Sequence, residues 1–154
     1  MIIALNILYK GYTMKDSNVT IKVTGSARTD GTNAITTRTT GKLYSKGSKR
    51  YLLYELPDED NRMVVVKHMI IFTNRNIEIT KSAPGLKTRI LYEPGASTET
   101  DYSTPYGNLT LVFSTKSITY DESDERLLIE VDYDIFSGGE LLSENRLVID
   151  CTQA

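Results

Sequence analysis

From Val19 to Cys151, apolar and polar residues alternate in runs of strand length, and turns containing glycine separate the runs. Alternation with a period of two suits a strand with one face buried, because successive side chains point to opposite faces. In the first run Val19, Ile21, Val23, Gly25 and Ala27 share one face, and Asn18, Thr20, Lys22, Thr24, Ser26 and Arg28 share the other. Asp30-Gly31 then predicts a hairpin turn. The second strand, over 34–46, places Ile35, Thr37, Thr39, Gly41 and Leu43 in one phase, which is polar for a face turned inward. No stretch carries the periodicity of a helix.

The pattern continues to the end of the chain. Lys46-Gly47-Ser48-Lys49 turns into a strand over 50–56, and a polar loop over 57–61 leads to a strongly apolar strand over 63–73. Asn74-Arg75-Asn76, Pro84-Gly85 and Pro94-Gly95 punctuate strands over 77–82, 86–93 and 98–104. Thr104-Pro105-Tyr106-Gly107 precedes a long strand over 108–120, whose apolar phase slips between Leu109, Leu111, Phe113 and the later Ile118, Tyr120. A slip of one residue predicts a β-bulge near 114–117. Strands over 127–136 and 141–151 close the chain around Ser137-Gly138-Gly139-Glu140. Short connections make this an up-and-down meander, and such a sheet leaves two exposed edges unless it curls and pairs them. The expected fold is all-β: an antiparallel, up-and-down, closed β-barrel of about eight to ten strands, with 19–28 lying beside 141–151.

Composition refines the picture in three places. Ten Tyr with three Phe and no Trp is strand-favouring. The formal charge of −2 gives no global reason to expect nucleic acid or an anionic membrane. Its distribution is uneven, with a basic excess from Lys15 to Arg50 and an acidic excess from Asp121 onward. Complementary pairing of the first and last strands explains this asymmetry better than a basic binding face, because the cations fall on both sides of their strands. Lone Cys151 cannot form an internal disulfide and suits a reducing cytosol; its phase with Leu147 and Ile149 makes it a buried, inert thiol. Two Asn-X-Thr triplets, at Asn18 and Asn108, are read as chance matches to a glycosylation pattern.

Residues 1–13 stand apart. Their apolar run is too short to span a bilayer and lacks the features of a signal peptide, so they are expected to be an N-terminal extension or an over-called start before one barrel domain over 14–154.

Gly41-Lys42-Leu43-Tyr44, Tyr51-Leu52-Leu53-Tyr54-Glu55, Thr104-Pro105-Tyr106-Gly107-Asn108-Leu109, Gly139-Glu140-Leu141 and Asn145-Arg146-Leu147 follow one another in an order and spacing that resemble the YwiB-like family. This is a group of small bacterial proteins described as calycin-like or lipocalin-like β-barrels of unknown function. The resemblance runs from about Val19 to the C-terminus. It implies a closed barrel and a bacterial, cytoplasmic setting, and it implies no catalytic or binding residue.

The chemistry available is sparse. Nucleophilic triads need an imidazole, and the chain has only His68, in phase with Val66 and Ile70 and better read as an interior or rim residue. One His and one distant Cys do not make a metal site, no phosphate-binding loop opens a helix, and no cofactor is implied. Asp132 and Asp134 could do acid–base work but read as a solvated outer face. Arg38, Lys42, Tyr44, Lys46, Lys49, Arg50, Tyr51 and Tyr54 could stack and neutralise a single strand, a reading disfavoured by the spread of Tyr through the whole sheet. Enzyme, metal site, nucleic acid and membrane are therefore all set aside.

The interior is more informative. If the apolar phases line the lumen, Thr37, Thr39, Thr88, Ser143 and Asn145 face inward with Tyr92 and Tyr133. Apolar walls with a few polar anchors are what a small-molecule cavity needs. The same groups could equally bond one another in a solid core. The expectation is a non-enzymatic barrel binding a small, partly apolar or amphipathic ligand through Thr37, Thr39, Thr88, Tyr92, Tyr133 and Asn145. The alternative is a protein-interaction module using the charged outer face or the barrel mouth.

Overall fold

The computed structural model describes residues 14–58, 61–104 and 106–154 and arranges them as a single antiparallel sheet of ten strands. The expectation for residues 1–13 lies outside the described residues, as do parts of the 57–61 loop and of the 104–107 turn. The strands are β1 (Ser17–Ala27), β2 (Ile35–Lys46), β3 (Lys49–Pro57), β4 (Val65–Phe72), β5 (Ile77–Ala83), β6 (Leu86–Tyr92), β7 (Ser97–Thr104), β8 (Gly107–Glu122), β9 (Arg126–Ser137) and β10 (Glu140–Gln153). Each matches a predicted strand to within two residues at either end. The Asp30-Gly31 turn forms as its sequence requires, with Gly31 at φ 71°, a conformation that glycine adopts without strain.

The strands lie in the order β6-β5-β4-β3-β2-β1-β10-β9-β8-β7, so the first and last strands are neighbours as expected. Their register runs from Val19 opposite Gln153 to Ala27 opposite Asn145. The two sheet edges, β6 and β7, meet at a seam held by side chains. Thr98 donates its hydroxyl to the Leu91 carbonyl at 2.8 Å, and Thr100 donates to the Arg89 carbonyl at 3.1 Å. The barrel is therefore nearly closed. The predicted bulge is present in β8, between Thr115 and Ser117. A second register shift, between Leu141 and Ser143 of β10, was not signalled by any change of apolar phase.

The inward phases bury most of one end of the barrel. Val19, Ile21, Leu43, Leu52, Ile70, Ile77, Leu127, Ile129, Val131, Ile149 and Cys151 are at most 1% exposed. Each fully buried Ile or Leu contributes about 1.5–3 kcal/mol. Beneath them the Met14 side chain is 2% exposed, and its backbone is strapped across this end. The Met14 N–H donates to Glu122 at 2.9 Å, and Arg50 donates to the Met14 carbonyl at 3.0 Å while pairing with Glu122. The Arg50 guanidinium lies over the Phe72 ring at 5.5 Å, and Phe72 in turn stacks on Tyr120.

Gly41 sits where β2 and β3 first come together, opposite Tyr54. A Cβ at this position would collide with the Leu53 carbonyl oxygen and stand 2.8 Å from Ile21 Cδ1 and 3.1 Å from Tyr54 Cβ. The backbone contact cannot swing aside. Gly41→Ala should therefore lower unfolding stability by about 1–3 kcal/mol, measured by urea denaturation, while Gly25→Ala, which meets nothing within 4 Å, should change it by less than half as much.

Candidate ligand site in the open half of the barrel

Along most strands the inward phase passes from buried to accessible, whereas in β8 it is buried at Phe113 and Thr115 and half-buried on either side. Toward the end that carries the β1–β2, β5–β6 and β9–β10 hairpin turns, Val23, Leu56, Tyr102, Leu111, Tyr133, Ile135 and Leu147 pack against the core yet keep part of their surface open. A hollow of about 560 Å³ opens there, lined by Gly25, Ala27, Ile35, Tyr133, Ser143 and Asn145 among others. The wall also has a gap. The β2–β3 ladder ends at Gly41 and Tyr54; beyond it residues 35–40 pair only with β1 and residues 55–57 only with β4. The strands splay around a second hollow of about 570 Å³, which reaches Thr39, Gly41, Tyr54 and His68.

All six sequence-derived site residues fall on inward registers, but in different surroundings. Tyr133 and Asn145 are direct cross-strand neighbours on the mouth hollow, where the Asn145 amide donates to the Ser143 hydroxyl at 2.8 Å. Thr39 lines the wall gap, and Thr37, half-buried, lies one inward position closer to the mouth. Tyr92, 2% exposed, forms a floor, edge-on to Tyr133 at 4.9 Å and to Phe113 at 5.9 Å between ring centroids. Burial, then the charge of and hydrogen bond with neighbouring Tyr133, pushes the Tyr92 phenol well above its usual range. Thr88 is buried on β6, opposite Lys81 and away from the others.

The pattern reading named Tyr54 only as a candidate for stacking a nucleic-acid strand and passed over Lys81. Tyr54 stacks on His68 with 4.7 Å between ring centroids. Lys81 follows Ile77 and Ile79 on the inward phase of β5, so its signal was present as an alternation ending in a cation. Burial, then the charge of Lys81, pushes the His68 imidazole down to about 4, which leaves it neutral near pH 7. Cys151 is fully buried, and burial pushes its thiol up to about 12, the inert thiol its phase suggested.

The charged candidates on the outside are corrected in one respect. Asp132 and Asp134 do face outward, but Asp134 is 7% exposed rather than solvated. It lies 2.8 Å from Arg28 and 3.6 Å from Lys116. Arg146 grips Asp132 with two hydrogen bonds of 2.8 and 3.0 Å, which hold that carboxyl below its usual range. Of the residues that could have formed a strand-stacking surface, Arg50 and Tyr54 face inward, and Tyr44 and Tyr51 stack on each other at 4.9 Å. The large apolar side chains left exposed among the described residues, including Ile35, Met63, Val65, Leu109, Leu141 and Leu142, all stand at the open end.

Residues 14–149 match the family model described as a domain of unknown function, DUF1934. The chain is 32% identical over 127 residues to the uncharacterized β-barrel protein YwiB of Bacillus subtilis (strain 168), covering 82% of this chain and 87% of that one. The crystal structure of the ywiB protein from Bacillus subtilis superposes with a TM-score of 0.76 at 27% identity, over 94% of this chain and 97% of that one.

The neutral, half-buried state of His68 carries a pH signature. Its imidazole is depressed to about 4 in the fold against 6.5 when exposed, so the unfolded chain binds the proton first as pH falls. The stability contributed by neutral His68 is fully present above about 6.5 and is lost between about 6.5 and 4. Urea midpoints measured across that window should fall with pH, and His68→Phe, which keeps the stack on Tyr54, should flatten the fall above pH 5, before Asp132 and Asp150 begin to protonate.

Proposed function

We propose that this chain, which belongs to the YwiB-like family of β-barrel proteins (DUF1934), binds a small, partly apolar molecule in the open half of its lumen. The observation that supports the reading is the contrast along most of the inward phases: eleven side chains at most 1% exposed in one half, and accessible positions spotted with polar groups in the other. A barrel built only for stability gains most by filling both ends. Here the accessible half combines aliphatic and tyrosine walls with Thr37, Thr39, Ser143 and Asn145, the balance that small-molecule sites use. His68 Nδ1 and Thr115 Oγ1 are buried on inward registers without a hydrogen-bond partner among the described residues. Buried polar atoms are normally partnered, so the interior holds bonding capacity that a guest can use.

The reading is one of binding rather than catalysis. The imidazole is stacked on Tyr54 and the thiol is sealed in the core, so neither is placed to attack a substrate. A cytoplasmic location belongs to the same proposal and rests on the single reduced, buried cysteine. Native mass spectrometry and solvent extraction of protein purified without denaturation should reveal a co-purifying small molecule. Bare polypeptide mass together with a water-excluding, filled interior would end the proposal.

A second reading is favoured by the apolar side chains gathered at the open end: a protein partner docks on the barrel mouth. Pull-downs from the native host across a salt series separate this from use of the charged outer face. Capture through the apolar mouth should persist at 0.5 M salt, whereas capture through outer-face ion pairs should fade.

A further inference from the structure

Four inward positions on three neighbouring strands meet at the mouth. Across β1, β10 and β9 the registers set Ala27 opposite Asn145 and Asn145 opposite Tyr133, and one inward step deeper Gly25 stands opposite Leu147. Directly opposed residues place their Cβ atoms about 4.5–5.5 Å apart, so the Asn145 carboxamide is flanked by a methyl group on one side and a phenol on the other. Gly25, Ala27, Tyr133 and Asn145 all line the mouth hollow of about 560 Å³. A Cβ added to Gly25 would meet nothing within 4 Å, so the space in front of β1 is open at this depth.

Among the described residues the Asn145 side chain makes one hydrogen bond, donated to the Ser143 hydroxyl at 2.8 Å. A carboxamide carries two N–H donors and an acceptor oxygen, so one N–H and the oxygen are left for a guest. The Ser143 hydroxyl, on the same lining, keeps its own proton to donate. Among the described residues no Lys or Arg lines the hollow, and Glu144, its one charged lining residue, is bonded to Arg28 at 2.7 Å. Glu140 holds an inward register in the same hairpin but stands outside the lining. An anion entering here sheds water without meeting a cation, and a cation finds the Glu144 charge already matched. An uncharged head that both donates and accepts is the one this lining suits.

The same hollow carries Ile35, Leu141 and Leu142, which are 70%, 50% and 57% exposed. The register shift between Leu141 and Ser143 brings two consecutive leucines to its lining, where regular alternation turns one of each pair away. An apolar group laid over these three side chains removes their surface from water.

We propose that the mouth hollow bordered by β1, β2, β9 and β10 takes a small amphipathic molecule with an uncharged, amide-type head, the head paired to Asn145 and Ser143 and the apolar part laid over Ile35, Leu141 and Leu142. This rests on the luminal-binding reading above and adds the position, charge and head chemistry of the guest.

The test compares three probes of equal chain length, used below their micellar concentrations: octanamide, octanoate and octylammonium. Affinity is read by calorimetry. Octanamide should bind at least about tenfold more tightly than either ion. Asn145→Leu should abolish that preference, and Asn145→Asp should transfer it to octylammonium. Gly25→Leu, which fills the hollow, should weaken octanamide at least about tenfold while the circular dichroism spectrum stays that of the parent; Ala27→Leu takes its place if that variant does not fold. Binding of either ion as tight as that of octanamide, a preference that survives Asn145→Leu, no gain for octylammonium in Asn145→Asp, or binding untouched by Gly25→Leu overturns the inference and leaves luminal binding standing. Failure of all three probes to bind overturns both.

Discussion

Ten antiparallel strands laid side by side leave two edges of unpaired backbone N–H and C=O groups, and those groups must find partners or meet water. The chain satisfies this constraint in two unlike ways. Its own ends are joined by a full ladder between β1 and β10, from Val19–Gln153 to Ala27–Asn145, with no bulge to weaken it. The edges left over are β6 and β7, neighbours in sequence across a tight turn. There the hydroxyls of Thr98 and Thr100 supply to the β6 carbonyls what a strand's N–H groups would have supplied. Closure thus depends on the longest-range pairing in the molecule, the kind that costs most loop entropy and forms slowly.

The two ends of the barrel then divide the work. At the closed end most large inward side chains are removed from water, Ile118 and Tyr120 being half-buried, and the Arg50–Glu122 pair is bonded to the Met14 backbone as well as to itself. A buried pair of this kind gives little net stability against apolar residues of the same shape, but it tolerates no loss of either partner. At the open end β2 and β3 separate beyond Gly41 and Tyr54, leaving backbone unpaired and side chains half-covered. That half contributes less burial per residue, and a fold holds such a region only when the remainder supplies enough stability to carry it.

Much of this was legible in the residues because period-two alternation is dictated by the pleat. The strands, the pairing of first with last and the bulge near Thr115 all express themselves as a phase, and phase survives in one dimension. Stagger does not. Nothing in Ile35–Thr40 says that its ladder to β3 will stop at Gly41, because that depends on how far one strand slides past the next. The β10 shift at Leu141/Ser143 was hidden for a related reason: the residues around it are Leu-Leu-Ser, which offer no clean phase to break. The six proposed site residues lie on inward phases, but depth along the barrel separates buried Tyr92 from accessible Tyr133 and Asn145, and Thr88 is buried on β6 opposite Lys81. Lys81 escaped notice because a lysine ending an Ile-x-Ile-x-Lys alternation reads as the strand leaving the core, when it is the strand reaching the mouth.

The charges settle into the same geometry. The basic early segment and the acidic late one meet where β1 lies on β10: Lys22 is opposite Asp150, and Arg28 reaches both Asp134 and Glu144. Further out, Arg126 holds Asp150 and Arg146 holds Asp132. Exposed pairs of this kind contribute at most about 1 kcal/mol each, so their value lies less in stability than in making one strand register the electrostatically matched one. Cations remain outside this matching on β2 and its turn, at Arg38, Lys42, Lys46 and Lys49, where water solvates them at little cost. On the inward side, Lys81 lies opposite His68 and Thr88 and pairs with none of the described acids.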